Sequence, residues 1–140
     1  MKSKLKYLAV SLALLVFLLV VSCGPSALQT APGKQVILRP QQTAVIETTG
    51  LKIQFLKITE DSRCPTGATC IQAGQVDCEV YLTQDSHIYL VTLTQLGSST
   101  QNVAENLGYR FVFNVLPYPV SSQPNIFENY TLVLKVTRAS

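Results

Sequence analysis

The chain has 140 residues, which is room for one domain, and it carries 11 lysines and arginines against 8 acidic residues, a formal net charge of +3. Three of the eleven basic residues, Lys2, Lys4 and Lys6, lie in an N-terminal segment with the features of a removed signal. Eight basic and eight acidic residues then remain, so the mature chain is formally neutral. Net charge therefore gives no reason to expect nucleic-acid binding or polybasic attraction to a membrane.

The N-terminal segment is typical of a signal peptide. An apolar run over residues 7–21 follows the lysines, with Ser11 as its only polar residue. As a helix this run of about 15 residues would be about 22 Å long, shorter than the roughly 30 Å hydrocarbon core of a bilayer. We therefore expect residues 1–22 to be a lipoprotein signal peptide rather than a permanent transmembrane helix.

The end of the apolar run, Val20-Val21-Ser22-Cys23, resembles the lipobox of bacterial lipoproteins. The resemblance implies that the signal is cut before Cys23 and that its thiol carries a diacylglycerol thioether. Two or three acyl chains, at about 0.8 kcal/mol for each buried CH₂, give a stable membrane anchor. We expect an extracytoplasmic, lipid-anchored protein of the bacterial cell envelope. The alternative is an ordinary secretory signal followed by a chance cysteine.

The segment after Cys23 is predicted to be a tether. Residues 24–34 are small, polar and interrupted by prolines, and they show no hydrophobic periodicity. A flexible chain of this length spans about 18 Å root-mean-square, which would hold a domain just off the bilayer. We therefore assign residues 23–34 to a lipidated tether.

From Gln35 onward the sequence indicates strands. Short β-branched and aromatic runs alternate with clusters of Gly, Pro, Asn, Ser and Asp, and the clearest alternation places Val76, Cys78, Val80 and Leu82 on one face. The pattern predicts an all-β, immunoglobulin-like antiparallel β-sandwich of about seven strands over residues 35–140. The predicted strands cover residues 35–39, 43–48, 51–59, 75–83, 87–95, 109–116 and 130–138.

Four finer features follow from parity and turn chemistry. The apolar parity slips in the third strand, which predicts a β-bulge near Phe55 and Leu56. Residues 83–87 predict a tight hairpin. Residues 87–95 are apolar on both parities, which predicts a central strand or one partly covered by a loop. Residues 102–106 are predicted to form one helical turn.

The cysteines left after Cys23 predict one disulfide. Cys64 and Cys70 lie in a turn-rich loop in which Pro65 and Gly67 can bring them together. Chain entropy favours a Cys64–Cys78 bridge slightly, at about 3.0 against about 2.3 kcal/mol, a difference too small to decide. Geometry therefore decides for Cys64–Cys70, and Cys78, at an inward position in a strand, is expected to be a buried free thiol.

A metal site is the alternative use of these cysteines. Cys64, Cys70 and Cys78, with His87 as a fourth ligand, would form a thiolate site, but their spacing matches no common zinc pattern. A copper site would need methionines or more histidines, and the only methionine is Met1. We therefore expect neither a metal nor another cofactor.

Catalytic patterns are weak. Asp85, Ser86 and His87 contain the letters of a hydrolytic triad, but neighbouring residues on a strand point to opposite faces and cannot converge. The sequence shows no phosphate-cradling glycine loop and no nucleophile elbow. We therefore expect the protein not to be an enzyme.

The loop before the first of these cysteines is the candidate binding loop. Asp61 and Arg63 are the polar groups that a Cys64–Cys70 bridge would hold in place. They can serve packing, as a local ion pair or Asx-type turn, or they can serve recognition of a partner.

The motif Asp61-Ser62-Arg63-Cys64-Pro65, followed by Cys70 and Ala73-Gly74, resembles a family of small bacterial lipoproteins and secreted proteins for which no activity is established. Position 72 departs from that pattern, since Gln72 stands where the family has tryptophan. The resemblance implies an exported β-domain and leaves its function open. Further family-like segments are Gly108-Tyr109, Pro117-Tyr118-Pro119 and the strand at Tyr130.

The sequence therefore favours a non-enzymatic envelope protein, anchored to a membrane by lipid, that binds an envelope protein or other envelope ligand, or has a structural role. One alternative is a loop-displayed inhibitor of a peptidase or lysozyme. Asn106-Leu107-Gly108-Tyr109 faintly resembles one loop of chagasin-type inhibitors, whose other loop motifs are missing. The other alternative is the metal-binding envelope protein considered above.

Overall fold

The computed structural model describes residues 26–97, 99, 101–122 and 126–140. The described residues form nine strands in two packed sheets, so the predicted all-β sandwich is confirmed. The strands are β1 (Leu28–Thr30), β2 (Gln35–Leu38), β3 (Thr43–Ile46), β4 (Lys52–Asp61), β5 (Gln75–Gln84), β6 (His87–Leu96), β7 (Asn102–Asn106), β8 (Tyr109–Leu116) and β9 (Thr131–Arg138), with a 3-10 turn at Phe127–Asn129. The sheet orders are β1-β3-β4-β5-β6 and β2-β9-β8-β7.

Alternating apolar residues from both sheets form the core. Successive side chains of a strand point to opposite faces, so the apolar parity of β5 and β9 faces inward. Leu82 on β5 and Leu134 on β9 are 1 % and 0 % exposed, and burial of such a side chain contributes about 1.5–3 kcal/mol. The buried partners on the same two strands are Val76, Cys78, Val80, Leu132 and Val136.

The predicted bulge in β4 is present. The pairing of β4 with β5 shifts register between Phe55 and Lys57, and it shifts again between Ile58 and Glu60. An extra residue at a bulge reverses which of the alternating positions after it face the core. Phe55 and Ile58 therefore both face the core, although they are three positions apart.

The predicted hairpin between β5 and β6 is also present. Gln84 pairs with His87, and Asp85 and Ser86 form the two-residue turn with φ of 48° and 68°. Positive φ at both central residues is the geometry of a type I′ turn, whose twist matches that of the flanking strands.

Strand β1 lies inside the segment predicted to be an unstructured tether. Its residues pair in parallel with β3, and the carbonyl of Thr30 accepts a hydrogen bond from the Glu47 N–H at 2.9 Å. Three residues give too short a run for any periodicity to show in the sequence. The edge of the neighbouring strand supplies the pairing instead.

The helical turn predicted over residues 102–106 is wrong, because these residues form strand β7. They pair antiparallel with β8 across a turn in which Leu107 and Gly108 have φ of 51° and 76°. The polar composition of β7 gives no apolar alternation by which a strand is recognised, since its side chains are half-buried or exposed rather than packed in the core.

The prediction of a central position for β6 is wrong as well. This strand is the last in its sheet, and Ile88 and Leu90 on its outer face are 66 % and 57 % exposed. Tyr89, whose strand partner Leu82 faces the core, is 41 % exposed at the rim. Apolar residues on both parities are here a property of a surface edge and not of a doubly covered strand.

The predicted signal peptide 1–22 and the lipidation site Cys23 lie outside the described residues. Within the described part of the chain, no helix has the length and apolar character needed to cross a membrane.

Candidate functional site

The loop between β4 and β5 contains the predicted disulfide. Cys64 and Cys70 are bonded, with their Cα atoms 5.8 Å apart. Inside the closed loop the Ala68 N–H donates to the Pro65 carbonyl at 3.0 Å, and Gly67 has φ of 89°. Pro65 and Gly67, the turn residues from which the bridge was predicted, thus form the turn that brings the two cysteines together.

The third cysteine is buried in the core, as predicted. Cys78 is free and 0 % exposed on β5. Burial, assisted by the neighbouring charge of Asp77, raises the pKa of this thiol to about 12. A thiol with so high a pKa is not a thiolate nucleophile or ligand at neutral pH.

The proposed thiolate metal ligands are not brought together. Cys64 and Cys70 are bonded to each other and Cys78 is in the core, while the His87 ring lies in the exposed hairpin with Nδ1 3.0 Å from the Asp85 carbonyl. Across the residues that the structure describes, no group of three or more His, Cys, Asp or Glu side chains is arranged to hold a metal ion.

The side chain of Arg63 is in the protein interior. The residue is 2 % exposed, and its guanidinium forms a bidentate pair with Asp61, from Nε to Oδ1 at 2.9 Å and from Nη2 to Oδ2 at 2.7 Å. The side-chain atoms of both residues are fully buried. Because neither reaches solvent, the geometry favours packing over recognition as the role of this pair.

Two further hydrogen bonds satisfy Arg63. Nη1 donates to the carbonyl of Val115 and Nη2 to that of Pro117, both at 2.9 Å. The Tyr118 ring centroid lies 4.8 Å from the guanidinium carbon, within the range of a cation–π contact. The planar fork of an arginine can make these contacts together, whereas a lysine ammonium cannot.

The carboxylate of Asp61 is fully engaged. Oδ1 also accepts a hydrogen bond from the Arg63 main-chain N–H at 3.2 Å, the Asx-type turn expected from the sequence. Oδ2 also accepts one from the Tyr130 hydroxyl at 2.6 Å. A buried carboxylate with two acceptor bonds on each oxygen avoids the desolvation cost of an unpaired charge.

These contacts determine the protonation of the cluster that Asp61, Arg63 and Tyr130 form. Burial alone would raise the pKa of Asp61, but the hydrogen bonds from Arg63 and Tyr130 and the Arg63 charge outweigh it and lower the pKa below its usual value. Burial of the Tyr130 hydroxyl, followed by its hydrogen bond to Asp61 and the negative charge of Asp61, raises the pKa of Tyr130 to about 12. At neutral pH the cluster therefore consists of a carboxylate, a guanidinium and a neutral phenol.

The cluster joins the two sheets. Asp61 ends β4 of the five-stranded sheet, whereas Val115 is on β8 and Tyr130 directly precedes β9 in the other sheet. Arg63 thus links the end of β4 to β8, and Asp61 links it to the residue that directly precedes β9.

A second polar contact between the sheets reaches the same residue of β8. The pairing of β7 with β8 ends at Asn102 and Phe113, so β7 does not extend alongside Val115. Gln95 of β6, 1 % exposed, accepts the Val115 N–H through Oε1 at 2.6 Å. Side chains from outside its own sheet thus satisfy both main-chain groups of Val115, the N–H through Gln95 of β6 and the carbonyl through Arg63 of the loop after β4.

Gln95 and Tyr130 are the cluster-supporting residues that sequence reasoning missed. Gln95 follows the inward position of Leu93 by two residues, so a polar residue at a core-facing parity was a signal for a buried hydrogen bond. Tyr130 lies at the boundary of a predicted strand, where its hydroxyl partner could not be inferred from sequence.

The Ala73-Gly74 pair explains how the loop returns to β5. Gly74 has φ of 66°, and a Cβ at this position would collide with the main-chain carbonyl oxygen of Ser62. Beside this close approach the Cys64 N–H donates to the Ala73 carbonyl at 3.0 Å. Glycine is required here by a positive φ and by a backbone contact together.

The disulfide loop also docks on the segment after β8. The Thr66 N–H donates to the Pro119 carbonyl at 2.9 Å, and the Ser121 N–H donates to the Thr66 carbonyl at 3.2 Å. The first part of the loop is therefore bonded to its surroundings at Cys64 and at Thr66, whereas residues 66–73 are exposed.

The outer face of the four-stranded sheet carries a shallow depression of about 380 Å³. Its lining includes Ile37, Val112, Leu116 and Val133, with Lys135 as the one charged residue. A single lysine without a neighbouring acid or nucleophile is not an acid–base pair. The depression is a mixed surface, because Gln35, Gln101 and Asn114 line it beside the apolar residues.

Comparison of the chain with protein-family models, curated proteins and solved structures finds no match. The resemblance to small bacterial lipoproteins therefore stays a prediction carried by the motif residues.

Replacing Arg63 by alanine is expected to lower the free energy of unfolding by about 3–5 kcal/mol, because it leaves the Asp61 carboxylate buried without its counter-charge. Lys57→Ala is the matched control. Its ion pair with Glu79 is 3.6 Å long and its own side chain is 64 % exposed, so the loss should stay below about 1 kcal/mol. Urea unfolding of both variants measures the difference, and equal losses would contradict the architectural role of Arg63.

Acid should unfold the protein partly through Asp61. Its pKa is lowered in the folded state, so the stabilisation is complete above the unfolded pKa of about 4 and is lost as pH falls through the folded value. Asp61→Asn should be less stable at pH 7 and should show a flatter decline in stability below about pH 4. Asp85→Asn in the exposed turn should keep the wild-type decline, and an unchanged slope in Asp61→Asn would contradict the assignment.

Proposed function

We propose that the protein is a non-enzymatic β-sandwich of the bacterial cell envelope, anchored by lipid at Cys23, that acts by binding a protein. The observation that carries the binding role is the exposed apolar surface of β6. Ile88 and Leu90 are 66 % and 57 % exposed there, and Tyr81 of β5 beside them is 38 % exposed. Contiguous apolar surface on a soluble domain marks a site of interaction more often than a site of chemistry.

The charged residues of the candidate loop support the non-enzymatic part of the proposal. The Asp61 carboxylate accepts four hydrogen bonds, and four of the five side-chain N–H groups of Arg63 donate to Asp61 and to main-chain carbonyls, so both side chains are already engaged inside the protein. Cys78 is an inert thiol in the core.

The anchoring part is supported by the apolar run over residues 7–21 and by the lipobox-like Val20-Val21-Ser22-Cys23. Because β1 begins at Leu28, the chain between an acylated Cys23 and the domain would be only about five residues long. Fully extended, it would reach about 18 Å. The domain would thus be held closer to the bilayer than the longer tether first expected would allow.

The two alternative functions have less support. Tyr109, part of the loop that resembles an inhibitor motif, is 6 % exposed, and only the two-residue Leu107-Gly108 turn remains to be presented. Metal carriage would require the bonded Cys64 and Cys70 to be reduced and the core to open at Cys78.

Replacing Cys23 by serine should abolish acylation and release the protein from membranes. Wild-type chain should sediment with membranes after a high-salt wash and should show the mass of an acylated cysteine, because dual acylation anchors independently of charge. Ser26→Ala, three residues further on, is the matched control and should remain acylated and sedimentable.

Fractionation with mass spectrometry of the N-terminal peptide measures both properties. A Cys23→Ser chain that remains acylated, or a wild-type chain that lacks acyl mass and washes off, would contradict the anchoring. The binding role would be contradicted if crosslinking of intact envelopes left the chain without any protein adduct.

A further inference from the structure

Strand β6 is the longest of the described strands that end a sheet. It ends the five-stranded sheet and has 10 residues, whereas the other terminal strands β1, β2 and β7 have 3, 4 and 5 residues. A sheet edge is a row of main-chain donors and acceptors that can pair with another strand. Length therefore distinguishes β6 from every other described edge.

The hairpin determines which residues have main-chain groups directed to that edge. In a two-residue hairpin the closing pair, here Gln84 and His87, is hydrogen-bonded, and hydrogen-bonded pairs then recur at every second residue. The even-numbered residues of β6 thus direct their N–H and C=O away from β5. Leu96 conforms, because its N–H donates to Asn102 Oδ1 at 3.2 Å outside the sheet. Positions 88, 90, 92 and 94, called here the β6 edge, have no hydrogen-bonded neighbouring strand on that side among the described residues.

The β6 edge lacks the features that normally prevent pairing. Residues 88–96 contain no proline and no charged side chain, and the register with β5 runs without a shift over all ten pairs. Natural edge strands are usually protected by lysine, proline, bulges or short length. None of these is present between Ile88 and Leu96.

We infer that the β6 edge pairs with the same edge of a second copy of this chain. The strands would run antiparallel about a two-fold axis at Leu90, which places Leu90 opposite Leu90 and Ile88 opposite Thr92 of the second copy. This register joins the unpaired main-chain groups of positions 88, 90 and 92 and makes one continuous ten-stranded sheet from two five-stranded ones. The inference depends on the proposed binding role and names its partner.

A second copy fits this edge because the edge is complementary to itself. Its outer face presents Ile88 and Leu90 toward one end and Thr92 and Thr94 toward the other, so the two-fold register pairs Leu90 with Leu90 at its centre and Ile88 with Thr92 on either side. The edge carries no charge, and the mature chain has eight basic and eight acidic residues, so two copies do not repel each other.

Membrane anchoring would make a small interface sufficient. One strand pair buries less surface than a standard protein interface and is weak between freely diffusing molecules. Lipid anchors at Cys23 would confine the copies to one surface and raise their effective concentration without any added contact. The pairing is therefore expected on membranes and should be tested there.

The test is photo-crosslinking of the full chain in intact cells. A photoreactive phenylalanine derivative replaces Leu90 in one sample, and it replaces Ile37, 54 % exposed on the edge strand of the other sheet, in the control. Light should produce an adduct of twice the chain mass from position 90, at a yield at least about tenfold above that from position 37. Adding Thr92→Lys to the first sample should lower that yield about tenfold, because a charge at the edge opposes pairing.

The crosslinked product distinguishes pairing with a second copy from binding of a different protein. Peptide mapping that joins β6 to β6 supports the inference, and circular dichroism of purified Thr92→Lys confirms that the variant is folded. An adduct with a different protein overturns the second-copy inference but leaves the binding role intact. No adduct at position 90, or equal adducts from positions 90 and 37, also overturns it. The membrane fraction of the same samples reports the anchoring independently.

Discussion

The buried pair of Asp61 and Arg63 is the interaction on which the rest of this structure depends. An arginine and a carboxylate removed from water are costly unless every donor and acceptor finds a partner. Here the carboxylate accepts four hydrogen bonds, and the guanidinium reaches Val115 and Pro117 as well as Asp61. Because these groups belong to both sheets, the pair fixes how the sheets meet at one end of the sandwich.

The covalent and steric features of the loop support that pair. The disulfide begins at Cys64, directly after Arg63, and closes a loop that is itself bonded to the segment after β8. Gly74 allows the returning chain to pass against Ser62 at a distance that no side chain would permit. A loop with these properties has little freedom to lose, so the arginine is held in place before it forms its contacts.

The local pattern of the sequence predicted most of the strands of this fold, but few of the contacts that Asp61, Arg63 and Tyr130 make. Period-2 alternation located β5, β8 and β9, and the slip of parity around Phe55 located the bulge, because both depend only on neighbours along the chain. Strand β1 and the edge position of β6 depend on which strands pair, which local pattern does not contain. The disulfide of the loop was predicted from the sequence, but the inward direction of the Arg63 side chain depends on carbonyls more than fifty positions away.

The central claim is that Asp61 and Arg63 act as one unit in joining the sheets. A double-mutant cycle with Asp61→Asn and Arg63→Met, measured by urea unfolding at pH 7, tests it most directly. The account predicts a coupling free energy of at least about 2 kcal/mol, with the double variant losing much less stability than the two single losses combined. Losses that add to within about 0.5 kcal/mol would contradict it.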